Sequence, residues 1–185
     1  RFGDIMSWFD IFLLASLAAF VALGAKRKLT GLLVGVLSIP LFRVLLTFAD
    51  NGTSGIVVAV VMAVLAGVLF GMLGRSSVFK GRGLELPLSI AGGFGGLLTG
   101  LLLVGALVTS FPVSLNFDKT NVYYPSQDTP KLLIDAANGS QIFQLGRSIV
   151  LFDLLDKTSL SASQQGIYTA LNGFFAVGRP WEKSN

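Results

Sequence analysis

Apolar residues gather into four long runs, at about 5–24, 31–49, 55–74 and 86–111, parted by short polar links. Each run is close to the ~20 residues that a helix needs to cross a bilayer. None holds more than one or two ionisable groups. After residue 111 the pattern changes to turn formers and short amphipathic stretches. It predicts an all-α integral membrane protein. A four-helix transmembrane domain at 1–111 is followed by a mostly helical C-terminal tail at 112–185.

The tail pattern is finer. Asn116, Asp118, Asn121, Pro125 and Ser126 mark 112–128 as irregular, with Tyr123 and Tyr124 expected at headgroup level. Asp128-Thr129-Pro130 precedes a helix start at Lys131, and Gly139 ends it. In the run 141–156, Ile142, Leu145, Ile149, Phe152 and Leu155 recur at helical spacing. These five residues are the candidate partner-binding face. A third helix is expected at about 161–176, opened by Ser161 and Gln164 as a capping box and closed near Gly178 and Pro180. Three short helices make a thin core, so their apolar faces need cover. The tail lacks the Lys/Arg-rich face of a helix that lies on lipid, which favours a partner protein or the bundle as that cover.

The links orient the chain. Lys26, Arg27 and Lys28 follow the first run, with Gly24 expected to close that helix. Arg75, Lys80 and Arg82 follow the third, while Asp50-Asn51-Gly52-Thr53-Ser54 after the second holds no base. The positive-inside rule places both basic links in the cytoplasm. Both termini, and the tail, are then expected outside it. The first run has little basic leader and no small-residue cleavage site after it, so it reads as a mature helix. Pro40, inside the second run, is expected to kink it.

Two ridges of small residues follow. Ala59, Ala63, Gly67 and Gly71 recur every four positions in the third run, and Gly92, Gly96 and Gly100 in the fourth. Small residues let membrane helices approach closely. The expectation is a tight hairpin of the third and fourth helices, or contact with another subunit. Asp10 and Arg43 lie at matching depth in the first two helices. A charge inside a membrane is costly unless paired, so an Asp10–Arg43 ion pair is expected.

Composition narrows the chemistry. The chain has 185 residues, 52% hydrophobic and 13% charged, with net charge +4 and neither cysteine nor histidine; its mean hydropathy is +0.73. Disulfides, thiolate chemistry and the usual zinc sites are excluded. The excess positive charge sits in short links, where topology accounts for it, so no nucleic-acid partner is implied. Ser159, Ser161 and Ser163 read as cap and turn residues. No P-loop is present, and Gly92–Gly100 lies in an apolar helix rather than after a strand. No cofactor and no enzymatic activity are expected.

Three stretches carry a family resemblance: Trp8-Phe9-Asp10-Ile11, the turn Gly24-Ala25-Lys26-Arg27-Lys28-Leu29-Thr30-Gly31, and Gly92-x-x-x-Gly96-x-x-x-Gly100 followed by Leu101-Leu102-Leu103-Val104. In order and spacing over residues 5–111, the chain resembles the CvpA family, the colicin V production proteins of bacterial inner membranes. It departs at Leu88 and Ser89, where the family usually has an Asp-Arg pair, and at Thr99, where a basic residue is common. The resemblance implies a four-helix inner-membrane protein linked to toxin export and envelope homeostasis, with no established enzymatic mechanism.

The partners then expected are the lipid bilayer and other integral membrane proteins, with a homo-oligomer also open. The leading expectation is a scaffold or accessory subunit of a larger membrane complex. The alternative is an oligomeric channel or transporter, although Ser16, Ser38, Thr47 and Thr99 form only a sparse polar lining.

Overall fold

A computed structural model of the chain describes residues 7–46, 54–73, 85–115, 122–152 and 160–175. All four apolar runs are helical: α1 (Trp8–Arg27), α2 (Leu29–Leu46), α3 (Ser54–Leu73) and α4 (Glu85–Thr109). The spans Trp8–Arg27, Leu29–Leu46 and Leu86–Thr109 are long and apolar enough to cross a membrane. In α3 the apolar stretch is shorter, at Val57–Leu69. Ile11, Phe12 and Leu14 on α1, Val36 and Leu37 on α2, and Val60 and Val64 on α3 are exposed. So much outward apolar surface suits hydrocarbon as solvent rather than water.

The chain divides into two compact units. One comprises Phe12–Phe48 and Val58–Val104; the other comprises Arg1–Ile11, Ala49–Val57 and Gly105–Asn185.

In the first unit the expected loop between the first two helices is reduced to one residue. α1 continues through Gly24 to Arg27, and α2 begins at Leu29. Lys28 makes the turn alone, with φ of 52°. Its N–H donates to the Ala25 carbonyl at 3.2 Å, and its own carbonyl accepts from Gly31 at 2.9 Å. A side chain in the left-handed region costs roughly 1–2 kcal/mol, so packing must hold this turn.

That packing is glycine on glycine. A Cβ added at Gly24 would fall on the carbonyl of Gly92 and, at 2.8 Å, on the Cα of Gly96. One added at Gly96 would meet the Phe20 carbonyl, and one at Gly95 would meet the backbone of Gly31 and Leu32. At Gly35 it would meet the backbone of Gly95, and at Gly100 the Leu17 side chain at 2.7 Å. The small face of α4 therefore lies directly on the backbones of α1 and α2. Gly24 is a contact residue inside α1, not its terminator.

The partner of the α4 ridge is thus not the ridge expected on the third helix. At Gly67 and Gly71 an added Cβ would have nothing within 4 Å. α3 instead buries Val58, Ala59, Met62 and Ala66, a stripe at helical spacing rotated from the ridge; Ala63 is half-buried. Ser38 and Thr99 place their hydroxyls 3.4 Å apart among these helices, and each also donates to its own helix, to Gly35 O at 2.7 Å and Gly95 O at 3.1 Å.

The second unit holds the tail. Ser114–Leu115 (β1) pairs antiparallel with Val122–Tyr123 (β2), in register Ser114 with Tyr123. The Tyr124–Pro125 peptide is cis. Three helices follow: α5 (Lys131–Asn138), α6 (Gln141–Val150) and α7 (Ala162–Phe175). α5 starts after Pro130 and ends at Gly139. The Ser161 capping box forms: Ser161 N–H donates to Gln164 Oε1 at 3.0 Å, and Gln164 N–H to Ser161 Oγ at 3.4 Å.

Candidate functional site

Asp10 organises the tail unit. Ser7, Trp8, Phe9 and Asp10 form a cap at the head of α1. Phe9 N–H donates to Ser7 Oγ, and Ser7 N–H donates to Asp10 Oδ2, both at 3.2 Å. The same carboxylate reaches the head of α6. Ser140 Oγ donates to Asp10 Oδ1 at 2.6 Å, Ile142 N–H to Oδ1 at 3.1 Å, and Gln141 N–H to Oδ2 at 3.2 Å. Ser140 in turn caps α6, its Oγ accepting from Phe143 N–H at 3.0 Å. One buried carboxylate, 1% exposed, therefore serves two helix N-termini, where free N–H groups and the helix dipole both favour negative charge.

Two oxygens offer about four acceptor positions, and four donors fill them. Arg43 is exposed on α2, in the other unit. Sequence reading missed Ser7 and Ser140. The signals were present: a Ser-x-x-Asp box before an apolar run, and a serine just before an amphipathic one.

An aromatic cluster lies beside this knot. Phe143 is fully buried. It meets Phe111 edge-on at 4.9 Å between ring centroids, stacks on Tyr124 at 5.2 Å, and meets Phe9 at 6.4 Å. Such pairs contribute about 0.5–1.5 kcal/mol each beyond burial. The Tyr124 hydroxyl donates to the Val108 carbonyl, and burial pushes its phenol well above the ordinary tyrosine range. Tyr124 is thus a core residue rather than a headgroup anchor, whereas Tyr123 is exposed.

The candidate partner face on α6 is also rearranged. The inward stripe is Phe143, Gly146, Ile149 and Val150. Gly146 lies so close to Val108 that a Cβ there would stand 2.6 Å from its Cγ2. Ile149 and Phe152 are buried, with Phe152 stacked on Tyr168 at 5.6 Å. Ile142 is half-buried, and only Leu145, 53% exposed, faces outward. Leu155 lies outside the described residues. Helical spacing had placed the five on one face; burial divides them, because α6 is covered both by the cluster and by α7. Asn172 of α7 donates to the Ile149 carbonyl at 2.6 Å.

An open groove of about 510 Å³ lies beside the cap of α1, lined by Ser7, Trp8, Lys131, Leu132, Asp135 and Ala136. Ser7 Oγ ties its walls by donating to the Ala136 carbonyl at 3.3 Å. Among the described residues no cluster of acidic side chains is placed to hold a metal ion.

No protein-family model, curated protein or solved structure matches this chain.

Proposed function

We propose that the chain is a non-enzymatic, CvpA-like scaffold or accessory subunit of a larger complex in a bacterial inner membrane. In this reading it crosses the membrane four times and holds both termini and its tail outside the cytoplasm. The observation that carries the reading is the tail itself. It is a folded unit with a filled aromatic core, yet it leaves Leu145 of α6 and Ile167 of α7 exposed, at 53% and 59%. In this reading Leu145 and Ile167 are contact points for a partner. The bonds around Asp10 support the same reading, since they engage structurally the one carboxylate that is buried among the described residues.

The test is native mass spectrometry after mild detergent extraction. Distinct membrane proteins at fixed stoichiometry are expected, and their retention should fall in Leu145→Glu and Ile167→Glu with the unfolding temperature unchanged. Recovery of the chain without other proteins would sink the scaffold reading. One observation favours a second reading, an oligomer of this chain acting as a channel. Gly67 and Gly71 present a small-residue strip with open space before it. A homo-oligomer that conducts in liposomes would establish it.

A further inference from the structure

The structure points to a lipid site that is separate from the protein-partner reading and rests only on α1 crossing a bilayer. We propose that the groove beside Trp8 seats the headgroup of a phospholipid bearing a primary ammonium, of the phosphatidylethanolamine class.

Trp8 is the first residue of an apolar, membrane-length helix and is 55% exposed. Ile11 and Phe12, on the following turn, are equally open. Lipid acyl chains therefore reach α1 just below Trp8, and the indole stands at headgroup level, where tryptophan is enriched. The opposite wall is the first turn of α5. Leu132 is 68% exposed there, an unfavourable position in water and a favourable one against the glycerol end of a lipid.

The polar lining supplies the specificity. Lys131 and Asp135 stand four residues apart on one face of α5, both exposed and both on the groove. Neither side chain has an ion-pair or hydrogen-bond partner among the described residues. An ammonium that only donates and a carboxylate that only accepts are thus offered side by side. A zwitterionic headgroup presents the complement: its phosphate oxygens accept from Lys131 and the Trp8 Nε1–H, and its ammonium donates to Asp135. A choline headgroup has no N–H to give, and a glycerol headgroup has no cation. The volume lies within the range of ligand clefts, roughly 300–1,000 Å³, and the open side admits a headgroup that stays attached to its chains.

The experiment uses the full chain in mild detergent. It is mixed with equal amounts of phosphatidylethanolamine, phosphatidylcholine and phosphatidylglycerol, and retained lipid is read by native mass spectrometry. Exposed charge pairs are weak, so retention of phosphatidylethanolamine about threefold above phosphatidylcholine is expected. Asp135→Asn should abolish that preference and Asp135→Glu should keep it. Lys131→Gln should lower retention of every phospholipid. Equal retention by the unaltered chain, a preference for phosphatidylglycerol, an undiminished preference in Asp135→Asn, or a protein found seated in the groove would each overturn the proposal. Flotation with vesicles of the three lipids is scored separately. Its failure would remove the membrane premise itself, whereas flotation without headgroup preference would remove only the lipid site.

Discussion

The Ser140 hydroxyl donates to the Asp10 carboxylate at 2.6 Å across 130 positions of sequence. The bond joins the caps of α1 and α6, so each helix start depends on the other. Losing the carboxylate would strand one hydroxyl and three backbone N–H groups at once.

Asp10→Ala is therefore expected to destabilise the protein by about 4 kcal/mol or more, since each of the four donors left unpaired costs about 1–3 kcal/mol. Ser140→Ala should cost about 1 kcal/mol, the usual loss for a serine cap. Their effects should fall short of additivity in the double variant, because the two groups share partners. Thermal unfolding in detergent measures all three. A wild-type unfolding temperature for Asp10→Ala would show that the knot contributes nothing.

The glycines should separate into two classes. Gly96→Ala sets a methyl group against the Phe20 carbonyl, and overpacking of this kind costs about 1–3 kcal/mol or more. Gly67→Ala meets open space and should gain from helix propensity, by up to about 1 kcal/mol. Opposite shifts in unfolding temperature are the expected result. Equal losses at both positions would mean that the strip on α3 is covered by another subunit.

Tyr124 gives a pH dependence with a definite sign. Burial raises its phenol above the ordinary value, so the folded state holds the proton more tightly than the unfolded one. Its stabilising contribution is complete below about pH 10, the unfolded value, and is lost progressively as pH rises beyond it. Tyr124→Phe should lose about 1 kcal/mol with the hydrogen bond to Val108 and show a flatter decline in alkali. Unfolding temperature across alkaline pH checks this. A parallel decline in both proteins would exclude Tyr124 as the source.

Much of the fold was legible because it is written locally. Four apolar runs of about twenty residues are four helices, since a helix follows from the character of its own residues. Ser161 and Gln164 formed the expected box, because the partners are three positions apart. Pro130 and Gly139 bound α5 for the same reason. What periodicity could not supply was the facing partner. Ile142, Leu145, Ile149, Phe152 and Leu155 share helical spacing, but the covered side of α6 was decided by Phe111, Tyr124 and α7.

The sequence by itself therefore determined the helices, their apolar character and most of their ends, through preferences each short segment carries alone. Tertiary structure decided which surfaces meet. It sent the glycines of α4 to α1 and α2, turned Gly24 from a helix stop into a contact, and gave Asp10 the α6 cap. The physical reason is one of range. A helix needs only its own 3.6-residue repeat, whereas a close backbone contact or a shared carboxylate depends on residues remote in sequence, and no local pattern records their approach.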